Sequence, residues 1–177
     1  SVYGAIVYAK GPALLPQARF YLGERAFRRA VRDFLARHAW GAADWSDLVR
    51  AFERASGTKL DRWAKAWVQR RGDPVVRVKD GVLGQTDSLG KGGVWPMKLR
   101  IWTPGSTQDV FLESRSEEIK AISGLVFPNA GDYGYGRFTF EANYQVVLGE
   151  EIRSFDPNQG NYILAGNVSA RTAWFEV

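Results

Sequence analysis

The spacing of apolar residues changes near residue 73, and that change constrains the fold more than any other feature of the chain. Before it, apolar side chains recur every three or four positions, the period of an amphipathic helix. After it, they alternate or sit in short runs between Gly and Pro, as in half-buried strands. The expected fold class is therefore α+β. An N-terminal helical subdomain of about four helices, residues 1–73, precedes a small antiparallel β-sandwich, residues 74–177.

The helical part reads as follows. Residues 5–22 are helical but interrupted, because Pro16 removes a backbone donor and should kink a continuous helix. Gly23 separates this segment from an amphipathic helix over 24–39, with Phe27, Val31, Phe34, Leu35 and His38 on one stripe. Asp44 should cap a third helix with Asp47 in its first turn, and Gly57 should end it. Thr58 with Asp61 reads as a capping box for a fourth helix, whose stripe is Leu60, Trp63, Ala64 and Trp67. Gly72 and Pro74 stop it.

The second part opens with the β-branched run Val75–Val78. A turn at Lys79-Asp80-Gly81 leads into a strand from Val82. Trp95–Trp102 alternates, with Met97, Leu99 and Ile101 on one face and Lys98 and Arg100 on the other. Val110–Leu112 is a further strand, with Pro104-Gly105 as the turn before it. Gly136 and Arg137 read as a turn. Asn143–Leu148 and Asn161–Val177 have strand-like patterns, and Asp156-Pro157-Asn158 reads as a turn.

Composition narrows the chemistry. The 177 residues contain no cysteine and one histidine, so thiol catalysis and thiolate ligands are out of reach. No apolar run approaches the roughly 20 residues that span a bilayer, so no membrane partner is expected. The chain opens SVYGAIVYAK, without Met or a basic leading segment, which reads as a fragment or processed piece. The net charge of +5 is uneven: residues 1–79 carry 16 − 7 = +9 and residues 80–177 carry 8 − 12 = −4. The arginines of the basic half spread around a helix as its solvated faces, and no groove-reading motif accompanies them. No nucleic-acid partner is expected.

The segment from Tyr3 to Gly11 carries the chemistry. A tyrosine hydroxyl can donate a hydrogen bond to a developing oxyanion. The residues alone, two tyrosines five apart before a Lys-Gly, favour two core tyrosines near a helix start. Yet Tyr8-Ala9-Lys10-Gly11 resembles the Tyr-x-Lys-Gly motif of the M1 family of zinc aminopeptidases, the gluzincins. The likeness continues in order. Leu22-Gly23-Glu24 with Phe27-Arg28 follows, then Phe34 and His38 with Trp45, Asp47 and Leu48. Phe52-Glu53, Ser56-Gly57, Leu60, Trp63 and Trp67 resemble the stretch that closes the catalytic domain. Gly72, Pro74, Val75 and Val76 resemble the start of the family's β-sandwich, and Val126–Tyr135 its Gly-Tyr-rich segment.

The resemblance implies a C-terminal part of a catalytic domain joined to that β-sandwich. It implies that Tyr8 stabilises the tetrahedral intermediate, with Tyr3 as the secondary candidate. Zinc is implied for the intact protein, and peptides as substrates whose N-terminal residues are removed. The family's His-Glu-x-x-His motif and its Gly-x-Met-Glu-Asn motif are both absent here, and one histidine cannot build a three-ligand zinc site. His38 is expected to be structural, and no metal ligand is expected in this chain. A missing N-terminal, zinc-bearing half is thus an implied partner, and the chain alone should be inactive. The alternative is a non-catalytic, aminopeptidase-like scaffold that serves for binding. Residues 139–177 match nothing in the family's pattern.

Overall fold

The computed structural model describes residues 11–103, 106–120, 126–140, 152–156 and 161–164. It divides the chain into two compact units, Ser1–Arg70 and Arg71–Val177. The architecture is α+β, with helices in the first unit and antiparallel-rich sheets in the second.

In the first unit, α1 spans Gly11–Leu22, α2 Glu24–Arg37, α3 Trp45–Ser56 and α4 Asp61–Ala64. A π-helical turn, Lys65–Gln69, continues α4. Pro16 lies inside α1 without dividing it. Leu14, Gln17 and Ala18 are buried at helical spacing around it, so packing offsets the lost hydrogen bond. Gly23 takes φ 83° between α1 and α2, a left-handed turn that side chains resist.

α2 and α3 form a hairpin of helices. Phe27 stacks on Phe52 at 5.5 Å, and Ala30, Ala51 and Phe52 are fully buried. Leu35, expected on the buried stripe, is instead 61% exposed, because the contact with α3 is centred on Ala30. α3 starts with a reciprocal capping box: Asp47 N–H donates to Asp44 at 3.0 Å, and Asp44 N–H donates to Asp47 at 2.9 Å. Gly57, at φ 73°, ends it.

The capping box expected at Thr58 and Asp61 does not form. The residue before α4 is Leu60, whose N–H donates to the Glu53 carboxylate at 2.7 Å. The helix starts two residues later than such a box requires, and the Thr58 N–H instead donates to Ser56 Oγ at 3.1 Å. Trp63, Ala66 and Trp67 are then buried beside Leu60, and Ala64, expected on the same stripe, is only half-buried.

The second unit contains β1 Pro74–Lys79, β2 Val82–Asp87, β3 Met97–Thr103, β4 Ser106–Leu112, β5 Ser116–Glu118, β6 Arg137–Phe140, β7 Ile152–Asp156 and β8 Asn161–Leu164. One sheet has the order β5-β2-β1-β6; β3 pairs with β4, and β7 with β8. Asp80 and Gly81 take φ 49° and 75°, the two positive values of a tight hairpin turn, and pair Lys79 with Val82. β6 pairs parallel to β1, Val75 opposite Arg137. Gly136, expected within a turn, takes φ 147° and leads directly into this strand.

β3 alternates as its sequence requires, with Met97, Leu99 and Ile101 fully buried. β4 flanks it on one side. On the other, Trp102 and Phe127 exchange two backbone bonds of 2.8 Å, and Ala130 N–H donates to the Arg100 carbonyl at 2.9 Å. Phe138 of β6 and Leu99 of β3 meet above Gly134, where an added Cβ would lie 2.7 Å and 2.6 Å from them. On the outer face, cross-strand partners Arg100 and Asp109 form a two-pronged ion pair at 2.8 and 3.2 Å. Lys98 reaches the same carboxylate at 3.3 Å and lies over Phe111 at 5.3 Å. The Arg100 bond and charge, then the Lys98 bond, hold the Asp109 carboxyl below its usual range.

Two outcomes are expected. Gly134→Ala should destabilise the chain by about 1–3 kcal/mol in urea unfolding, because the methyl has nowhere to go. Gly84→Ala, whose Cβ meets nothing closer than 3.8 Å, should not. The lowered Asp109 value means its stabilisation is complete above the unfolded carboxyl value of about 3.9 and is lost as pH falls through the folded value. Asp109→Asn should therefore lower the thermal midpoint near neutrality, and the gap to the parent should close below about pH 4. A gap independent of pH would contradict this.

Candidate functional site

The residues with candidate chemistry, Tyr8 and Tyr3, lie outside the described residues, as does Lys10. What the structure describes is the scaffold they lead into. Gly11, the last residue of Tyr-x-Lys-Gly, is the first of α1. α1 is fixed by its buried side: Leu14 is 5%, Gln17 0% and Ala18 2% exposed. Gln17 carries no apolar signal and was invisible to a reading based on hydrophobic period; a fully buried amide on this helix shows only in the packing.

The hairpin of α2 and α3 is joined by polar ties as well as packing. The Arg29 guanidinium donates to the Ala55 carbonyl in the last turn of α3. Asp33 accepts from Arg54 of α3 at 2.8 Å and from Arg37 of its own helix at 2.6 Å. Those two bonds, Arg54's the larger influence, keep the Asp33 carboxyl below its ordinary value. Glu24, at the start of α2, bonds Arg19 of α1 and Arg28 one turn on, and is lowered by both. Five of the twelve arginines in residues 1–79, namely Arg19, Arg28, Arg29, Arg37 and Arg54, are thus held in bonds within the fold.

His38 ends α2, where its N–H donates to the Phe34 carbonyl. Its ring lies 5.1 Å from Phe34, and Nε2 is 3.9 Å from Asp47, too far for a hydrogen bond. Asp47 already accepts from the Asp44 N–H and from Arg50 at 2.5 Å. Among the described residues no group of three or more His, Cys, Asp or Glu could hold a metal ion. No described helix is long and apolar enough to cross a membrane.

The Gly-Tyr segment is also built rather than merely turned. Asn129, 3% exposed, accepts the Gly134 N–H at 2.7 Å and donates to the Gly134 carbonyl at 3.2 Å. Tyr133 lies under the Arg100 guanidinium at 5.4 Å. Burial, then the charge of Asp73, pushes the Tyr135 hydroxyl above its usual value. This phenol stays neutral and able to donate.

Residues 1–67 match the model described as the peptidase family M1 domain. The chain is 28% identical over 155 residues to "Tricorn protease-interacting factor F2" of Thermoplasma volcanium, across 79% of this chain and 18% of that protein. It is 41% identical over 86 residues to "Aminopeptidase N" of Streptomyces lividans, across 46% and 10%. It is 32% identical over 134 residues to "Aminopeptidase M1-A" of Oryza sativa subsp. japonica, across 71% and 15%. The chain is related to the M1 aminopeptidases, and it spans about a fifth or less of the length of these relatives.

The tie between α3 and α4 should be measurable. Glu53→Ala leaves the Leu60 N–H without its acceptor and should cost about 1–2 kcal/mol in urea unfolding. Glu53→Gln, which keeps a neutral acceptor, should recover part of that. Equal losses in the two variants would contradict the role of the Glu53 oxygen.

Proposed function

We propose that this chain is the C-terminal side of an M1 zinc metalloaminopeptidase, carrying the oxyanion-stabilising phenol but not the metal ligands. The observation that carries this reading is the match of residues 1–67 to the M1 domain, with Tyr8-Ala9-Lys10-Gly11 running directly into α1. Aminopeptidases among the relatives support the same class of reaction, removal of N-terminal residues from peptides. On this reading residues 1–73 close a catalytic domain and residues 74–177 belong to a β-sandwich that follows it.

The chemistry assigned to this chain is limited. Tyr8 Oη donates a hydrogen bond to the oxygen that gains charge as the scissile carbonyl becomes tetrahedral. The neutral phenol suits that task, since it binds the oxyanion more strongly than the ground-state carbonyl. α1 holds the segment's downstream end through Leu14, Gln17 and Ala18. Tyr3 ranks second, and His38 has no part. Zinc, which supplies Lewis acidity and an activated water in such enzymes, is held by residues outside this chain. The isolated chain is accordingly inactive.

The lone histidine gives the alternative its footing: an aminopeptidase-like module retained for binding, without catalysis. The full-length gene product separates the two. It should bind zinc stoichiometrically and release an aminoacyl reporter. Tyr8→Phe should lower kcat by roughly 10²–10³-fold with zinc retained, the usual cost of an oxyanion donor. Full activity in Tyr8→Phe would reject the assignment of Tyr8. Absence of both zinc and turnover in the parent would favour the scaffold.

A further inference from the structure

The helical unit buries its tryptophans, with one exception. Trp63 and Trp67 are 2% and 0% exposed, and Trp45 is half-buried, whereas Trp40, in the turn between α2 and α3, is 106% exposed. Its backbone is unusual as well. The Gly41 N–H donates to the His38 carbonyl at 3.1 Å, closing a turn with Trp40 at its third position and at φ 62°. That left-handed value suits Gly or Asn and is an outlier for a bulky side chain. The turn thus holds the indole out in solvent on a strained residue. Among the described residues no contact offsets either the strain or the exposure.

The surroundings of Trp40 are apolar. From residue 35 to residue 43 every residue is exposed except the half-buried His38. Leu35 is exposed, and the other residues of this stretch are Ala, Gly and Arg37, whose guanidinium is held by Asp33 at 2.6 Å. Small side chains around one rigid aromatic allow a close-packed contact anchored by that ring. Size then decides the occupant. A stable interface between separate proteins takes about 800 Å² and roughly 20–30 residues from each side. This tip is the nine-residue stretch 35–43, too small for a second copy or an independent partner. A contact within one polypeptide needs no such area, because the tether supplies a high effective concentration. The chain spans about a fifth or less of the length of its relatives, so on the M1 reading most of such a polypeptide lies outside residues 1–177.

We propose that Trp40 anchors a docking surface inside the intact gene product. Its indole enters an apolar pocket formed by the same polypeptide outside residues 1–177, with Leu35 and the neighbouring alanines at the edge of the contact. This rests on the reading of the chain as one side of a larger M1 enzyme. It gives Trp40 no part in the chemistry.

Trp40→p-benzoylphenylalanine, a photoreactive aromatic of similar bulk, tests this in the full-length gene product. Irradiation should give an adduct within one molecule, mapped by mass spectrometry to a residue outside 1–177. Trp40→Gly supplies a second readout. In the 177-residue chain it should leave the thermal midpoint unchanged or raise it, since Gly adopts φ 62° freely and a fully exposed indole is lost without loss of contact. In the full-length product the same change should lower the midpoint by about 2 °C or more. The proposal is overturned by no adduct in the folded full-length product, or by adducts only between molecules or only within residues 1–177. It is also overturned if Trp40→Gly leaves the full-length midpoint where it was. Zinc content and turnover of the full-length parent test the M1 reading separately. With both present, a missing adduct removes the docking surface alone. With both absent, an adduct outside 1–177 upholds the docking surface and removes the enzymatic reading alone.

Discussion

Two buried amide side chains organise the β unit, and the rest of that unit depends on them. Gln85 accepts the Trp95 N–H at 2.9 Å and donates to the Trp95 carbonyl at 3.2 Å and the Ser114 carbonyl at 2.7 Å. Asn129 does the same to Gly134. Each amide pairs with one residue's N–H and C=O as a neighbouring strand would. A buried backbone group without a partner is costly, and here loops run where no strand is available. Gln85 thereby joins β2 to the segment leading into β3 and to the bend after β4. Asn129 closes the loop that lets Phe138 and Leu99 meet over Gly134.

The helical unit solves a different problem with the same economy of polar groups. Its hairpin is apolar at the centre, Phe27 on Phe52 with alanines between, and tied at the rim by Arg29 and Asp33, while Glu53 ties α3 to the start of α4. Buried Leu14, Gln17 and Ala18 fix α1 in this unit. The short segment carrying Tyr8 enters α1 at Gly11, so the rigidity of α1 bears on any role of that hydroxyl.

Much of this was legible beforehand, and the failures have physical causes. The α+β division, the Asp44–Asp47 cap, the Gly57 stop and the alternation of β3 all follow from local pattern, and local pattern is what a sequence displays. Pro16 inside α1 and exposed Leu35 depended on tertiary packing that overrode a local preference. The Thr58–Asp61 cap failed because the helix starts two residues later, at Asp61, with the Leu60 N–H held by Glu53 and the Thr58 N–H by Ser56. The parallel pairing of β1 with β6 joins residues some sixty apart, which no periodicity encodes. Gln17, Gln85 and Asn129 are polar, and a search for apolar stripes passes over polar residues that the core encloses. The Tyr-x-Lys-Gly segment was singled out by resemblance, and its tyrosines lie outside the described residues.

The central claim is that Tyr8 faces the reacting carbonyl rather than the core. The most direct measurement is a crystal structure of the full-length gene product with a phosphinic peptide, whose tetrahedral phosphorus carries oxygens in place of the developing oxyanion. The account predicts Tyr8 Oη about 2.7–3.1 Å from one of those oxygens. A Tyr8 ring packed inward, with its hydroxyl bonded to a backbone carbonyl, would contradict it.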